Sequence, residues 1–170
     1  MTFSIYDASV PVFVTMLGNM RNWLDKAAAE KPEAELIEAR LAPDMHPLPR
    51  QYQFVADSSK FAVARLVGIE APPMEDTETT FAELRERCDK TIAFIESVDR
   101  SAFSGAETRE VTIKFPNGMG YRFSGADYLR NFALPNFYFH ATTAYAILRA
   151  NGVSLGKPDY LAHLGMPEQL

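Results

Sequence analysis

The chain has 170 residues, a formal net charge of −5 and a 47% hydrophobic, 23% charged composition, the length and make-up of one globular domain with a sizeable core. An acidic pI near 5.2 and the lack of any basic cluster leave nothing to neutralise phosphates, so no nucleic-acid partner is expected. No apolar run approaches the ~20 residues of a membrane span, and the lone Cys88 excludes an internal disulfide and suits a reducing compartment.

The first predicted element is a helix from Ser4 to Ala29. Ser4 and Asp7 resemble a capping box, and Tyr6, Val10, Phe13, Leu17, Met20, Leu24 and Ala27 recur at helical spacing. A short helix is expected over Glu33–Arg40. The prolines of MHPLPR interrupt the chain, and Pro49 can open a second long helix to Val67, with Tyr52, Val55, Ser59, Ala62 and Leu66 on one face. A third helix is expected from near Thr77, striped by Phe81, Leu84, Cys88, Ile92 and Ile95. Val111, Ile113 and Phe115 alternate with polar residues before Asn117-Gly118 and the return Tyr121–Phe123, the pattern of a β-hairpin. The fourth helix opens at Ser124 and closes at Ala150, where Asn151-Gly152 can form a left-handed cap. The Gly- and Pro-rich tail should wrap the bundle. These elements predict an all-α protein, a four-helix bundle with a small hairpin between helices three and four, spanning residues 1–170 as one domain.

Two prolines, Pro11 and Pro135, fall inside the first and fourth predicted helices, where each removes a donor and should kink the helix. Just beyond Pro135, the stripe Leu129, Phe132, Ala133, Asn136, His140, Ala144 and Ile147 carries two polar residues one turn apart. Asn136 and His140 share a face, and each needs a partner, because an unsatisfied buried polar group costs about 1–3 kcal/mol. They either form a structural hydrogen-bonded pair or mark a polar pocket in the bundle core. Gln51, Tyr52 and Gln53 are candidates for a pocket mouth, and Asp44, Asp7 and Asp57 are weaker carboxylate candidates. Tyr138 and Tyr145 lie off the stripe and read as packing or interface residues. Cys88 lies in an apolar stripe and reads as an inert thiol.

The layout and the run from Asn136 to Gly152 resemble the DinB/YfiT-like four-helix bundles. The phrases RLAPDM, EDTETTF and LPNFYFHATTAYAILR are more specific, and are similar to a bacterial domain-of-unknown-function branch. The resemblance implies a crossover bundle, a homodimer, and a divalent metal held by one histidine of the second helix and two of the fourth, as in thiol S-transferases. His140 matches one fourth-helix ligand and Asn136 stands in the place of the other. The second-helix ligand falls near Gln53 or Phe54, neither of them histidine. A three-imidazole set is thereby reduced to one imidazole and an amide, a poor site for zinc or nickel. His46 could add an imidazole if its loop folds over the bundle end, and His163 of the tail is more remote. The pocket candidates are therefore His140, Asn136, Gln53, Phe54, His46 and Asp57. No cofactor is expected, although a weakly bound zinc or nickel ion would fall to His140 with Asn136 or His46. A small-molecule ligand and a cytoplasmic location are expected. A non-catalytic bundle and a metal-dependent S-transferase-like enzyme stand as the alternatives.

Overall fold

The computed structural model describes residues 3–169. Four long helices build the bundle: α1 (Val10–Glu30), α3 (Leu48–Val67), α4 (Phe81–Glu96) and α6 (Leu134–Ala150). A short α2 (Glu33–Ile37) bridges the first two, stopping before the expected Arg40. The strands β1 (Glu110–Lys114) and β2 (Gly120–Ser124) follow α4, and α5 (Gly125–Tyr128) and α7 (Lys157–Tyr160) flank α6. Helix α3 packs along α6 and α4, while α1 packs along α4 and α6, so the first two long helices face each other diagonally. No helix among the described residues is long and apolar enough to cross a membrane.

The predicted stripes of the first three long helices form the core. Phe13, Leu17, Met20, Tyr52, Val55, Leu66, Phe81, Leu84 and Cys88 are buried in one cluster. Burial pushes the Cys88 thiol up to about 12, so it stays protonated and inert.

The helix starts differ from expectation for local reasons. Ser4 and Asp7 do bond reciprocally, the Asp7 N–H to Ser4 Oγ at 3.3 Å and the Ser4 N–H to Asp7 Oδ2 at 3.1 Å. They close only a leading turn, the chain breaks at Ser9 (φ −125°, ψ −73°), and α1 begins at Val10 with Pro11 in its first turn, where a missing donor is harmless. Beside it, the Arg100 guanidinium holds the Asp7 carboxyl down to about 2. In α4 the capping box is Thr80 with Glu83 rather than a start at Thr77. Thr80 Oγ1 accepts from the Glu83 N–H at 3.2 Å, and the Glu83 carboxylate accepts from the Thr80 N–H at 2.9 Å.

The hairpin pairs antiparallel with Ile113 opposite Tyr121. Gly118 takes φ +80°, a value that suits glycine in the turn that reverses the chain. At the far end of α6, Gly152 at φ +83° forms the anticipated left-handed cap, with the Val153 N–H bonded to the Leu148 carbonyl at 3.1 Å. The tail then returns to α1. Trp23 Nε1 donates to the Asp159 carbonyl at 3.0 Å and Asn19 Nδ2 to the Tyr160 carbonyl at 2.9 Å.

The fourth predicted helix is the one that changes. It breaks into α5, a π turn at Leu129–Ala133 and α6, with Pro135 in the first turn of α6. The Leu134 N–H bonds the Leu129 carbonyl five residues back, and the widened turn accommodates the proline that cannot donate. The sequence anticipates the disruption. Its form is a π turn upstream of Pro135 rather than a kink within a continuous α-helix.

Candidate functional site at the α3–α6 seam

The π turn adds a residue to the helical repeat, and this decides where Asn136 and His140 sit. A stripe extended from Leu129 and Ala133 at α-helical spacing reaches Asn136 and His140. The fully buried positions of α6 are instead Phe137, Ala141, Ala144, Ile147 and Leu148. Asn136 and His140 lie one residue off the core, half-buried along the seam with α3. The core pocket between them becomes a seam between two helices.

They do not bond each other. Asn136 Nδ2 donates to Ser58 Oγ at 2.6 Å, and His140 Nδ1 meets Gln51 Oε1 at 2.9 Å. Gln51 and Ser58 are seven residues apart on α3, two turns of one face, so the antiparallel helices are cross-linked at two levels. Phe54 lies between these levels and stacks on His140, with ring centroids 4.6 Å apart and planes at 32°.

The far side of the Gln51 amide fixes the histidine tautomer. Gln51 Nε2 donates to the His46 carbonyl at 3.1 Å, which turns Gln51 Oε1 toward His140. Nδ1 of His140 therefore carries the proton, and Nε2 carries the lone pair. Burial, with smaller contributions from His46 and Arg50, pushes the His140 pKa down to about 4. His140 is thus a neutral imidazole near pH 7, an acceptor at Nε2 and a donor at Nδ1.

This carries a pH consequence. The unfolded chain takes up the His140 proton near the ordinary value of 6.5, whereas the folded chain does so only near 4. Protons therefore favour the unfolded state, and the stability contributed by neutral His140, complete above pH 6.5, is lost as pH falls toward 4. Thermal melts from pH 7.5 to 4.5 should show a steeper acid decline in the wild type than in His140→Gln. Equal slopes would mean that the ring is freely solvated.

The remaining candidates divide between two places. The loop before α3 does fold over the bundle end, bringing the exposed His46 ring edge-on to Phe54 at 5.3 Å. Gln53 faces elsewhere. It is buried, and bonds Arg50 at 2.6 Å and Glu78 at 2.9 Å. Asp57 pairs with Lys60 at 3.0 Å and with Arg87 at 3.2 Å. His163 joins neither group, its Nδ1 lying 3.2 Å from Asn19 Nδ2 on α1. Tyr52 is buried and donates to the Met20 carbonyl at 2.9 Å, and Tyr145 packs against Trp23 at 5.7 Å. Asp44 is exposed in its loop. Among the described residues no three His, Cys, Asp or Glu side chains cluster as a metal site would require.

Beside Asn136 a groove of about 160 Å³ opens between α3 and the π turn. Phe54, Phe61, Tyr128 and Phe132 line it together with Asp57, Ser58, Arg65 and Asn136. Ser58, Phe61, Arg65 and Tyr128 are not anticipated by the sequence reading. Their signal is a second face of α3, in which Phe54, Ser58, Phe61 and Arg65 recur at helical spacing beside the core stripe. Their partners on α5 and the π turn come into line only once the extra residue is inserted.

A family model described as a domain of unknown function (DUF1993) matches residues 5–161. The crystal structure of a DinB family member protein from Shewanella denitrificans is 40% identical to this chain. That match covers 98% of this chain and 95% of that one, with a TM-score of 0.85. Among curated proteins none matches. A helical bundle with its hairpin ahead of the last long helix, matched over nearly its whole length, places the chain in the DUF1993 family of DinB-like proteins.

Proposed function

We propose that the chain is a small-molecule-binding bundle whose ligand site is the α3–α6 groove beside Asn136, with His140 in the adjoining wall, and that it works without a resident metal. The groove carries the reading. It joins aromatic walls to a few uncommitted polar groups at a π turn, a feature that often accompanies functional sites.

The donor set at the family's metal positions does not fit a divalent ion. Asn136 bonds Ser58 through its amide nitrogen and offers only a neutral carbonyl oxygen, Gln53 is committed to Arg50 and Glu78, and Phe54 offers a ring. His140 keeps one free nitrogen, Nε2, and the His46 ring lies across Phe54 from it. One imidazole with at most a neutral amide oxygen beside it holds zinc or nickel weakly.

Saturation-transfer NMR with benzyl alcohol, a neutral single-ring probe, tests the groove. Saturable transfer is expected in the wild type and should vanish in Asn136→Phe, which fills the groove. Persistence in that variant would place the probe elsewhere. A parallel zinc titration should show no stoichiometric site that His140→Ala abolishes.

A further inference from the structure

The lining of the groove is unbalanced in a way that specifies its ligand. Four cations approach it, and three are already spent, Arg50 among them through its pairing with Asp76. Lys60, almost wholly buried, pairs with Asp57 at 3.0 Å. Arg87, also buried, is shared among Asp57 at 3.2 Å, Asp76 at 3.0 Å and Glu78 at 2.8 Å. The fourth is Arg65. Among the described residues it meets no carboxylate, and its one side-chain hydrogen bond runs from Nη1 to the Tyr128 hydroxyl at 3.0 Å. Its guanidinium carbon lies 5.1 Å from the Phe61 ring centre and 5.9 Å from that of Tyr128. The cation is thus held in place while its Nε and Nη2 edge stays free. That edge is a fork whose two parallel N–H groups match a carboxylate.

The neighbouring polar groups lean the same way. Ser58 accepts from Asn136, which leaves its own hydroxyl proton to donate, and the second N–H of the Asn136 amide is also uncommitted, against one free neutral acceptor, Asn136 Oδ1. Asp57, the one carboxylate of the lining, has its charge offset by Lys60 and Arg87. A cationic ligand finds no such vacancy. Lys60 and Arg65 already lie over Phe61, and Arg50 lies 4.4 Å from the Phe54 ring centre.

We infer that the groove takes a small carboxylic acid with a flat apolar body, its carboxylate on the free edge of Arg65 and its body among Phe54, Phe61 and Phe132. At about 160 Å³ the groove is smaller than the ~300–1,000 Å³ of drug-sized ligand sites, so the acid is a single-ring one. This rests on the groove being the ligand site, and adds the charge and size of the ligand.

The test compares benzoate with its neutral counterpart benzamide, by isothermal titration and by ¹⁵N NMR of the arginine Nε–H resonances. Benzoate should bind at least tenfold more tightly than benzamide and shift the Arg65 resonance. Arg65→Met should reduce benzoate to the level of benzamide, and Arg65→Lys should recover only part of the difference, because an ammonium lacks the fork. Equal binding of the two probes to the wild type would overturn the inference without recourse to any variant, as would unchanged benzoate affinity in a folded Arg65→Met protein. If benzyl alcohol still binds in the groove under either result, the groove stands and only its preference for carboxylate falls. If none of the three probes binds, both fall together.

Discussion

Arg87→Met is expected to destabilise the protein by about 3–5 kcal/mol, the cost typical of removing one partner from a buried ionic cluster. The Arg87 side chain is 2% exposed on α4 and reaches two other parts of the chain. Nη1 donates to the Glu75 carbonyl at 2.9 Å and to Glu78 at 2.8 Å, while Nη2 meets Asp57 of α3 at 3.2 Å and Asp76 at 3.0 Å. One side chain thus fastens the loop between α3 and α4 onto both helices. Methionine fills similar space but leaves Glu78, only 12% exposed, without its cation. The cost is that stranded charge, more than the lost attraction. Adding Glu78→Gln to the variant should therefore restore part of the loss, a non-additivity that a double-mutant cycle in urea would measure. Amide exchange at Glu75–Glu78 should quicken in Arg87→Met before the bundle itself opens. A loss below about 1 kcal/mol would show that solvent screens the cluster as it does a surface pair.

That cluster also marks where the sequence stops being informative. Arg87 precedes Cys88 in the third helix's stripe, and helical spacing alone gives it no special standing. Its partners come from EDTETTF and from α3, segments whose meeting depends on the packing of three elements. The long helices, the hairpin and the glycine cap of α6 were legible because each rests on a local cause: spacing, an Asn-Gly turn, a positive φ. The proline at 135 was legible as a disturbance but not as a π turn, since a helix can answer a missing donor in several ways. That choice moved Asn136 and His140 from core to seam. The face assigned to the two residues was one residue out of phase. His46 was conditional on a loop closing over the bundle end, and the loop does so, but Phe54 intervenes between the two imidazoles.

The phase shift can itself be tested by truncating two adjacent residues of α6. Phe137 is wholly buried and meets Phe13 of α1 edge-on, with ring centroids 4.8 Å apart. Phe137→Ala should cost about 3–5 kcal/mol through lost burial and the cavity left between α1 and α6. Asn136→Ala removes one hydrogen bond at a half-buried seam whose partner Ser58 is itself half-buried, and should cost no more than about 1 kcal/mol. Urea unfolding of both variants gives the comparison. Should Phe137→Ala fail to fold, as the marginal stability of ordinary domains allows, Phe137→Leu keeps most of the side chain and should still lose more than Asn136→Ala. The reverse order would mean that α6 keeps an unbroken α-helical phase from Leu129 onward and that the core runs through Asn136 and His140. In that event the groove beside the π turn would lose its floor, and with it the carboxylate site at Arg65. A stability measurement on a residue outside the groove thus bears on what the groove can hold.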